Sequence, residues 1–207
     1  MAKLAHYYTK FDEGCFYHVY NRTIDKQPMF KSEANYEYFL RKYNEYLSPV
    51  VDTYAYCLLG NHFHLLMRIH GDLSDFKKTS KIDASKPTHD IISHQFRKFF
   101  QSYSMAFNKQ HNRIGTLFQT PFKRVLINND SYYSKIVYYI HANPQSHKLI
   151  EDFRNWKWSS YNGILSDKPS KLKKEELIEW FGDKQAYQDY HNEYREYLIQ
   201  EISDNKI

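Results

Sequence analysis

The sequence predicts an α+β fold: a ferredoxin-like βαββαβ antiparallel sheet with helices on one face, followed by a C-terminal helical extension. Two observations support this prediction. Four short segments are rich in aromatic and β-branched residues, which favour strands. Amphipathic segments, with apolar residues at three- and four-residue spacing, separate them and are typical of helices. The expected strands cover residues 15–20, 52–59, 63–69 and 122–127, and the expected helices lie between Ser32 and Pro49 and from Thr88 to about Asn112.

Residues that cap helices or form turns set the limits of these elements. Ser32 can cap the first helix, and Pro49 stops it. The Gly60-Asn61 turn signal predicts that the second and third strands form a hairpin. Residues 71–87 are polar and show little periodicity, so we expect a loop there.

A third helix should follow the fourth strand. Asn129 or Asp130 can cap this helix, which is expected to run from Ser131 to about Ala142. Its end is predicted from Pro144, because the residue before a proline is biased away from the helical conformation.

We expect one main domain over residues 1–165 and a helical extension over residues 166–207. Trp156 and Trp158 indicate a segment that folds back on the core. Residues 174–202 predict one or two polar helices.

Basic residues are concentrated in the first two-thirds of the chain. The net charge is +5, but residues 1–144 hold 19 Lys and Arg against 12 Asp and Glu, whereas residues 145–207 hold 10 against 12. This asymmetry favours a polyanionic partner, although an ordinary solvated face gives the same pattern. The candidate DNA-contacting residues are Arg22, Arg97, Lys98, Lys123 and Arg124.

The composition does not indicate export or a membrane partner. Cys15 and Cys57 are too few and too far apart for a disulfide framework or a Cys-based zinc site. The first eight residues hold no apolar run of signal-peptide length, and no stretch approaches the ~20 apolar residues of a membrane span. We therefore expect a cytoplasmic, nucleoid-associated protein.

Two histidines lie at alternate positions where the third strand begins. Because successive strand side chains point to opposite faces, His62 and His64 share one face while Phe63 points to the other. Their position beside the Gly60-Asn61 turn gives access to a metal ion and a substrate. Such a pair can bind a divalent metal, although surface His-x-His pairs also arise by chance.

One face of the third helix carries aromatic and polar side chains. Tyr139 and Asn143 are four residues apart and therefore lie on one helical face. Lys135 lies a turn before Tyr139, and Tyr132 lies about two turns before it. These side chains could share a site. The alternative is that Tyr139 is a core aromatic and that Asn143 only ends the helix.

Two signatures in this order resemble those of the single-tyrosine HUH transposases, and in particular the REP-associated tyrosine transposases. They are His-Phe-His at 62–64, followed by an apolar strand, and Tyr-Ile-His-Ala-Asn-Pro at 139–144. Residues 16–22 and 115–119 also resemble that family's first strand and the segment before its fourth strand. The resemblance covers about residues 12–165 and agrees with the predicted βαββαβ order.

This resemblance implies a function and assigns residues to it. It implies that His62 and His64 bind a divalent metal, Mg²⁺ or Mn²⁺, with Asn143 as the third protein ligand. Tyr139 would be the nucleophile of a DNA endonuclease and strand transferase that forms a 5′-phosphotyrosine intermediate. The implied partners are single-stranded or hairpin DNA and a second copy of the chain in a homodimer.

Two further residues bear on this chemistry. A phenol has an ordinary pKa of about 10, so Tyr139 needs help to ionise at neutral pH. We hypothesise that Lys135 assists deprotonation or stabilises the leaving oxygen. Tyr138 is a rival nucleophile, but a helix turns about 100° per residue, so only one of the two tyrosines can face the metal.

Other functions stay open on the sequence alone. A DNA-binding or regulatory protein that no longer cuts would keep the fold, although the intact His62, His64, Tyr139 and Asn143 argue against it. A nucleotide hydrolase of the histidine-triad kind needs a third alternating histidine, and position 66 is Leu. A transposase-like chain can belong to a mobile element or be retained by its host; the length beyond the tyrosine helix favours the second by analogy.

Overall fold

Four strands form one antiparallel sheet in the computed structural model, which describes residues 8–204. The strands are β1 (Phe16–Arg22), β2 (Val51–Leu59), β3 (His62–Ile69) and β4 (Lys123–Ile127). They lie in the order β2-β3-β1-β4, and each neighbouring pair is antiparallel. The predicted strands are thus confirmed to within two residues at their ends.

Two long helices cover one face of this sheet. α1 (Glu33–Tyr46) connects β1 to β2, and α3 (Thr88–Gln110) lies between β3 and β4. This βαββαβ layout confirms the predicted ferredoxin-like fold. The helices and the sheet enclose a core that is rich in aromatic rings, among them Phe39, Phe63, Phe96, Phe99 and Tyr103.

The segment over residues 71–87, predicted as a loop, contains a short helix, α2 (Ser74–Thr79). Leu73, at the start of this helix, is buried in the aromatic core. Its carbonyl accepts the backbone N–H of Lys77 at 2.8 Å. The burial of Leu73 therefore orders this segment, although its polar composition does not indicate a helix.

The remaining helices cover the other face of the sheet. They are α4 (Asp130–Ser146), α5 (Tyr161–Leu165), α6 (Lys174–Phe181) and α7 (Lys184–Asp204), with a 3₁₀ turn at Phe153–Asn155. α4 packs on β2 and β3. Across the described chain, no helix combines the length and the apolarity that crossing a membrane requires.

The predicted division into a main domain (1–165) and an extension (166–207) lies partly outside the described residues. Residues 1–7 of the predicted domain and residues 205–207 of the predicted extension lie outside the described residues. Inside the described range, Leu177 of α6 is buried in the same core as α4. The extension therefore packs on the main domain, and the boundary itself stays a prediction.

The segment after α4 folds back on the sheet, as its tryptophans predict. Trp158 stacks on Tyr36 of α1 with ring centroids 4.3 Å apart. Trp156 donates its indole N–H to the carbonyl of Leu58 in β2 at 3.0 Å.

The prediction that α4 ends before Pro144 is wrong, because the helix continues to Ser146. A proline this close to a helix end removes one backbone hydrogen bond without breaking the rest. Two side chains hold the last turn. Ser146 donates its hydroxyl to the carbonyl of Ala142 at 3.2 Å, and Gln145 accepts the backbone N–H of Phe153 at 3.2 Å.

A buried chain of hydrogen bonds joins α4 to α7. The Nδ1 of His191 lies 2.7 Å from the carbonyl of Tyr187, so it carries the ring proton, and its Nε2 accepts from Nδ1 of His141 at 3.0 Å. The Nε2 of His141 lies 2.9 Å from Oγ of Ser160, which lies 3.2 Å from the carbonyl of Tyr56. Burial keeps both rings neutral, and every ring nitrogen in this chain of hydrogen bonds has a partner.

The two buried histidines in this chain of hydrogen bonds predict that acid destabilises the fold. Burial lowers the pKa of His191 from 6.5 to about 4, and burial also holds the pKa of His141 well below its usual range. Between these values the unfolded chain binds more protons, so the free energy of unfolding falls as the pH falls from about 6.5 to about 4. At ~1.4 kcal/mol per pH unit, the share of His191 is about 3 kcal/mol.

Urea unfolding of the full chain at pH 7 and pH 4.5 measures this loss. The variant His191→Gln removes one titrating ring, so its stability should depend less on pH than that of the unaltered chain. His94→Gln, which removes an exposed ring on α3, is the matched control. An equal loss in the unaltered chain and in His191→Gln would contradict the assignment.

Candidate functional site

A cavity of about 200 Å³ opens on the α4 side of β1 and β3, at the end of the β2–β3 hairpin. Strand alternation directs His62 and His64 towards it, while Phe63 is buried in the aromatic core. In the neighbouring strand, Tyr20 lies opposite His64 and Arg22 lies opposite His62. The side chains at this cavity include Tyr20, Arg22, His62, His64, Lys123, Tyr139 and His147.

His62 is held by the turn that precedes it. Its Nδ1 lies 2.7 Å from Oδ1 of Asn61, whose Nδ2 donates to the carbonyl of Lys26 at 2.6 Å. The second bond fixes the amide, so Nδ1 of His62 carries the proton and Nε2 keeps its lone pair. Burial lowers the pKa of His62 to about 4, and the positive charges of His147 and Arg22 add to the effect.

His64 is buried beside another histidine. Its Nδ1 lies 2.9 Å from Nε2 of His18 in β1. Tyr20 stacks on both rings, with centroids 5.5 Å from His64 and 4.8 Å from His18. Burial, and then the charge on His18, hold the pKa of His64 far below its usual range. His64 is therefore neutral, and Nε2 is the ring nitrogen left for a ligand.

Tyr139 faces this pair from α4. Its ring meets those of His64 and His18 edge-on, with centroids 5.4 Å and 5.9 Å away. The side chain is 46% exposed, whereas the adjacent Tyr138 is 8% exposed. The hydroxyl of Tyr138 donates to the carbonyl of Tyr194 at 2.9 Å. The helix thus turns one tyrosine to the site and the other to the core.

Tyr139 also lines a second cavity of about 400 Å³, which adjoins the first between α4 and the sheet. Tyr20 is common to both cavities. Lys135 and Tyr132 line this second space with His18. The structure therefore brings Lys135 and Tyr139 together, in the arrangement that their helical spacing predicts.

The structure does not bring Asn143 to the lining of the histidine cavity. This residue is buried, and its Nδ2 donates to the carbonyl of Tyr139 at 2.8 Å. His147, one helical turn further along, lines the cavity instead, and its ring centroid lies 4.9 Å from that of His62.

Sequence reasoning did not single out His18 or His147. Two signals could have found them. His18 lies two residues before Tyr20, so the alternation of β1 places it on the same face. His147 lies eight residues after Tyr139, which is slightly more than two helical turns and returns to a similar side of α4.

The predicted DNA-contacting residues divide between the two faces of the sheet. Arg22 and Lys123 line the histidine cavity. Arg124 alternates to the opposite face, where it is buried and donates to the carbonyl of Thr9. Arg97 and Lys98 are exposed on α3, which also lies on that opposite face. The structure therefore brings two of the five basic residues to the site.

The site offers two imidazole ligands for one divalent ion. Both rings are neutral and have Nδ1 engaged, which leaves Nε2 for the metal. Within residues 8–204, no three His, Cys, Asp or Glu side chains are already grouped around one metal position. A metal bound by His62 and His64 would therefore keep other positions open, as a catalytic ion requires.

The fold and the site together define a class of protein in which a tyrosine on a helix faces a histidine pair on an antiparallel sheet. No family model matches the chain. A curated relative from Haemophilus influenzae, named as a REP-associated tyrosine transposase, is 29% identical over 113 residues. The match covers 54% of this chain and 59% of the relative, so the chain spans about three fifths of that protein's length.

A solved structure of a REP-associated tyrosine transposase bound to a REP hairpin is also similar. Its TM-score is 0.54 at 15% sequence identity, and the match covers 78% of this chain and 86% of that chain. At this identity the likeness establishes the fold. Together the two comparisons confirm the resemblance that the sequence motifs indicate.

The hydrogen bond from His62 to Asn61 predicts one tautomer of the free protein. Long-range ¹H–¹⁵N correlation spectra at pH 7.5 should show His62 with its proton on Nδ1 and a bare Nε2. In Asn61→Ala the acceptor is lost, so both tautomers should become populated. His64 has another partner and should keep its signals. A proton on Nε2 of His62 in the unaltered protein would contradict this geometry.

Proposed function

We propose that this protein is a metal-dependent single-stranded DNA endonuclease and strand transferase that acts on hairpin-containing DNA. The observation that carries the proposal is the approach of Tyr139 to His64, whose ring centroids are 5.4 Å apart. This spacing would let a nucleophile and a pair of metal ligands act on one phosphate group. The similarity to REP-associated tyrosine transposases supports the same chemistry.

His62 and His64 suit a divalent cation, Mg²⁺ or Mn²⁺, because a metal binds the neutral imidazole and both rings are neutral. The resemblance implies Asn143 as the third ligand. When bound, the ion supplies charge that polarises a non-bridging phosphate oxygen and offsets the charge developing in cleavage.

In the proposed cleavage, the phenol of Tyr139 loses its proton and its oxygen bonds to phosphorus. The bond from phosphorus to the 3′-oxygen breaks, and that oxygen takes up a proton to become a 3′-hydroxyl. The DNA on the 3′ side of the cut stays joined to Tyr139 through its 5′-phosphate, as a 5′-phosphotyrosine. Attack by another 3′-hydroxyl reverses these changes and rejoins DNA. One phosphodiester replaces another, so no ATP is consumed.

In this proposal, Lys135 assists the proton transfer or stabilises the leaving oxygen. It shares the second cavity with Tyr139 and lies one turn away on α4. Its ammonium can stabilise negative charge that develops on the phenol oxygen or on the departing 3′-oxygen.

The substrate class follows from the cavity's charge and rings. Arg22 and Lys123 supply positive charge for phosphates, and the Lys123 ammonium lies 5.6 Å from the ring of Tyr20. An unpaired strand lets its backbone enter such a cavity and offers bases for stacking on aromatic rings. A hairpin beside that strand is proposed from the structural relative, which is bound to one.

The identity of the nucleophile is testable by single substitutions. Tyr139→Phe should abolish the covalent protein–DNA adduct on a hairpin oligonucleotide with Mn²⁺, because the attacking oxygen is gone. Tyr138→Phe is the matched control and should keep the adduct, since its hydroxyl lies in the core. Denaturing gels with labelled DNA measure the adduct. Adduct in Tyr139→Phe, or DNA binding without adduct in the unaltered protein, would overturn the proposal and favour a non-cleaving DNA-binding protein.

The rate of DNA cleavage tests the role of Lys135. Lys135→Ala should slow single-turnover cleavage by roughly 10²-fold, the lower limit typical of lost acid–base assistance. Affinity for Mn²⁺ should stay the same, because Lys135 lies outside the histidine cavity. Lys109→Ala, on the exposed end of α3, serves as the control. Full-rate cleavage by Lys135→Ala would remove the residue from the mechanism.

A further inference from the structure

We propose that His18 is a positioning residue for the metal site: its Nε2 accepts a hydrogen bond from Nδ1 of His64 and thereby keeps Nε2 of His64 bare for the metal. This inference rests on the proposed function, because it concerns the same divalent ion. It adds a residue that acts through one of the two histidines, as Asn61 acts through His62.

The two imidazoles lie on adjacent strands and are close enough for one hydrogen bond. Nε2 of His18 lies 2.9 Å from Nδ1 of His64. His18 is paired with Leu66 across β1 and β3, so His64 is its diagonal neighbour. Diagonal neighbours on one face of a sheet are within reach of long side chains. The contact therefore follows from the register of the two strands.

One proton must lie between these two nitrogens, and its position decides whether His64 can bind a metal. Two bare nitrogens would repel each other at 2.9 Å, and two N–H groups would clash. If Nδ1 of His64 holds the proton, its Nε2 has the lone pair that a metal needs. If Nε2 of His18 holds it, neutral His64 must carry its own proton on Nε2, which blocks the metal. Metal binding thus requires His18 as the acceptor.

The packing around His18 keeps its ring in place. Its strand neighbours Tyr17 and Val19 are fully buried in the aromatic core, so alternation holds His18 on the opposite face, where the site lies. Its ring is nearly parallel to those of Tyr20 and His64, with interplanar angles of 21° and 18°. The side chain is only 4% exposed. A ring confined in this way can orient the imidazole to which it is hydrogen-bonded.

A second histidine pair in the same chain shows how a pair with a purely structural role is arranged. His141 and His191 are fully buried, and Nε2 of His141 lies 2.9 Å from the hydroxyl of Ser160. That pair uses its ring nitrogens inside the core. His64 instead lines the histidine cavity, and His18 lines the second cavity. The position of His18 and His64 beside both cavities favours a role at the site.

Long-range ¹H–¹⁵N correlation spectra of the metal-free full chain at pH 7.5 test the position of the shared proton. His64 should carry its proton on Nδ1. In His18→Gln the amide oxygen can accept the same bond, so this tautomer should persist, whereas in His18→Leu both tautomers should become populated. His62 has its own partner and should keep its signals in both variants. A proton on Nε2 of His64 in the unaltered protein, or an unchanged tautomer in His18→Leu, would overturn the inference.

Titration of the full chain with Mn²⁺ in a calorimeter measures the consequence for metal binding. His18→Leu should weaken Mn²⁺ binding about tenfold or more, the loss typical of removing the partner of a metal-binding histidine. His18→Gln, which keeps an acceptor, should come close to the unaltered affinity. His94→Leu, which removes an exposed imidazole on α3, is the matched control and should leave the affinity unchanged.

The two proposals fail in different ways. Unchanged affinity in His18→Leu, together with a loss in His64→Ala, would overturn this inference and leave the proposed function standing. Failure of the unaltered protein to bind Mn²⁺ would overturn both.

Discussion

The alternation of side chains along β3 is the constraint on which the site depends. Phe63 is fully buried and contacts Phe39 and Phe118 in the aromatic core. Burying such a ring contributes about 1.5–3 kcal/mol. A slip of one residue in β3 would turn Phe63 out to the cavity and drive His62 and His64 into the core. Apolar packing on one face of the sheet thus fixes the two imidazoles on the other.

Burial also prepares the histidine pair for a cation. An imidazole that keeps its proton repels a metal, and exposed histidines are partly protonated near neutral pH. Here burial lowers the pKa of both rings and so removes that proton. His64, stacked on Tyr20 and paired with His18, is the more buried of the two histidines. His62 lies nearer the opening, where Asn61 of the hairpin turn orients its ring.

The sequence predicts those parts of the site that a single element determines. Strand alternation places His62 and His64 on one face, and helical spacing puts Tyr139 beside its neighbours on α4. The burial of Asn143 could not be predicted in this way, because tertiary packing decides which side of a helix faces the core. Arg124 shows the same limit on a strand: alternation separates it from the adjacent lysine, but only the sheet order shows which face carries the site. The ferredoxin-like core was predictable because the periodicity of apolar residues in each segment matches the strand or helix that it forms. The packing of helices on the second face of the sheet depends instead on contacts between residues that are distant in sequence.

Those distant contacts explain how α4 can present Tyr139, the proposed nucleophile. On its core side, Tyr138 donates to the carbonyl of Tyr194, and His141 bonds to His191, so α7 holds two successive turns of the tyrosine helix. On its other side, Tyr139 is left exposed above the histidines. A catalytic group on a helix that is held in this way loses little conformational freedom on meeting its substrate. Among the described side chains, α7 therefore supports the position of Tyr139 indirectly, through the residues of α4 that face the core.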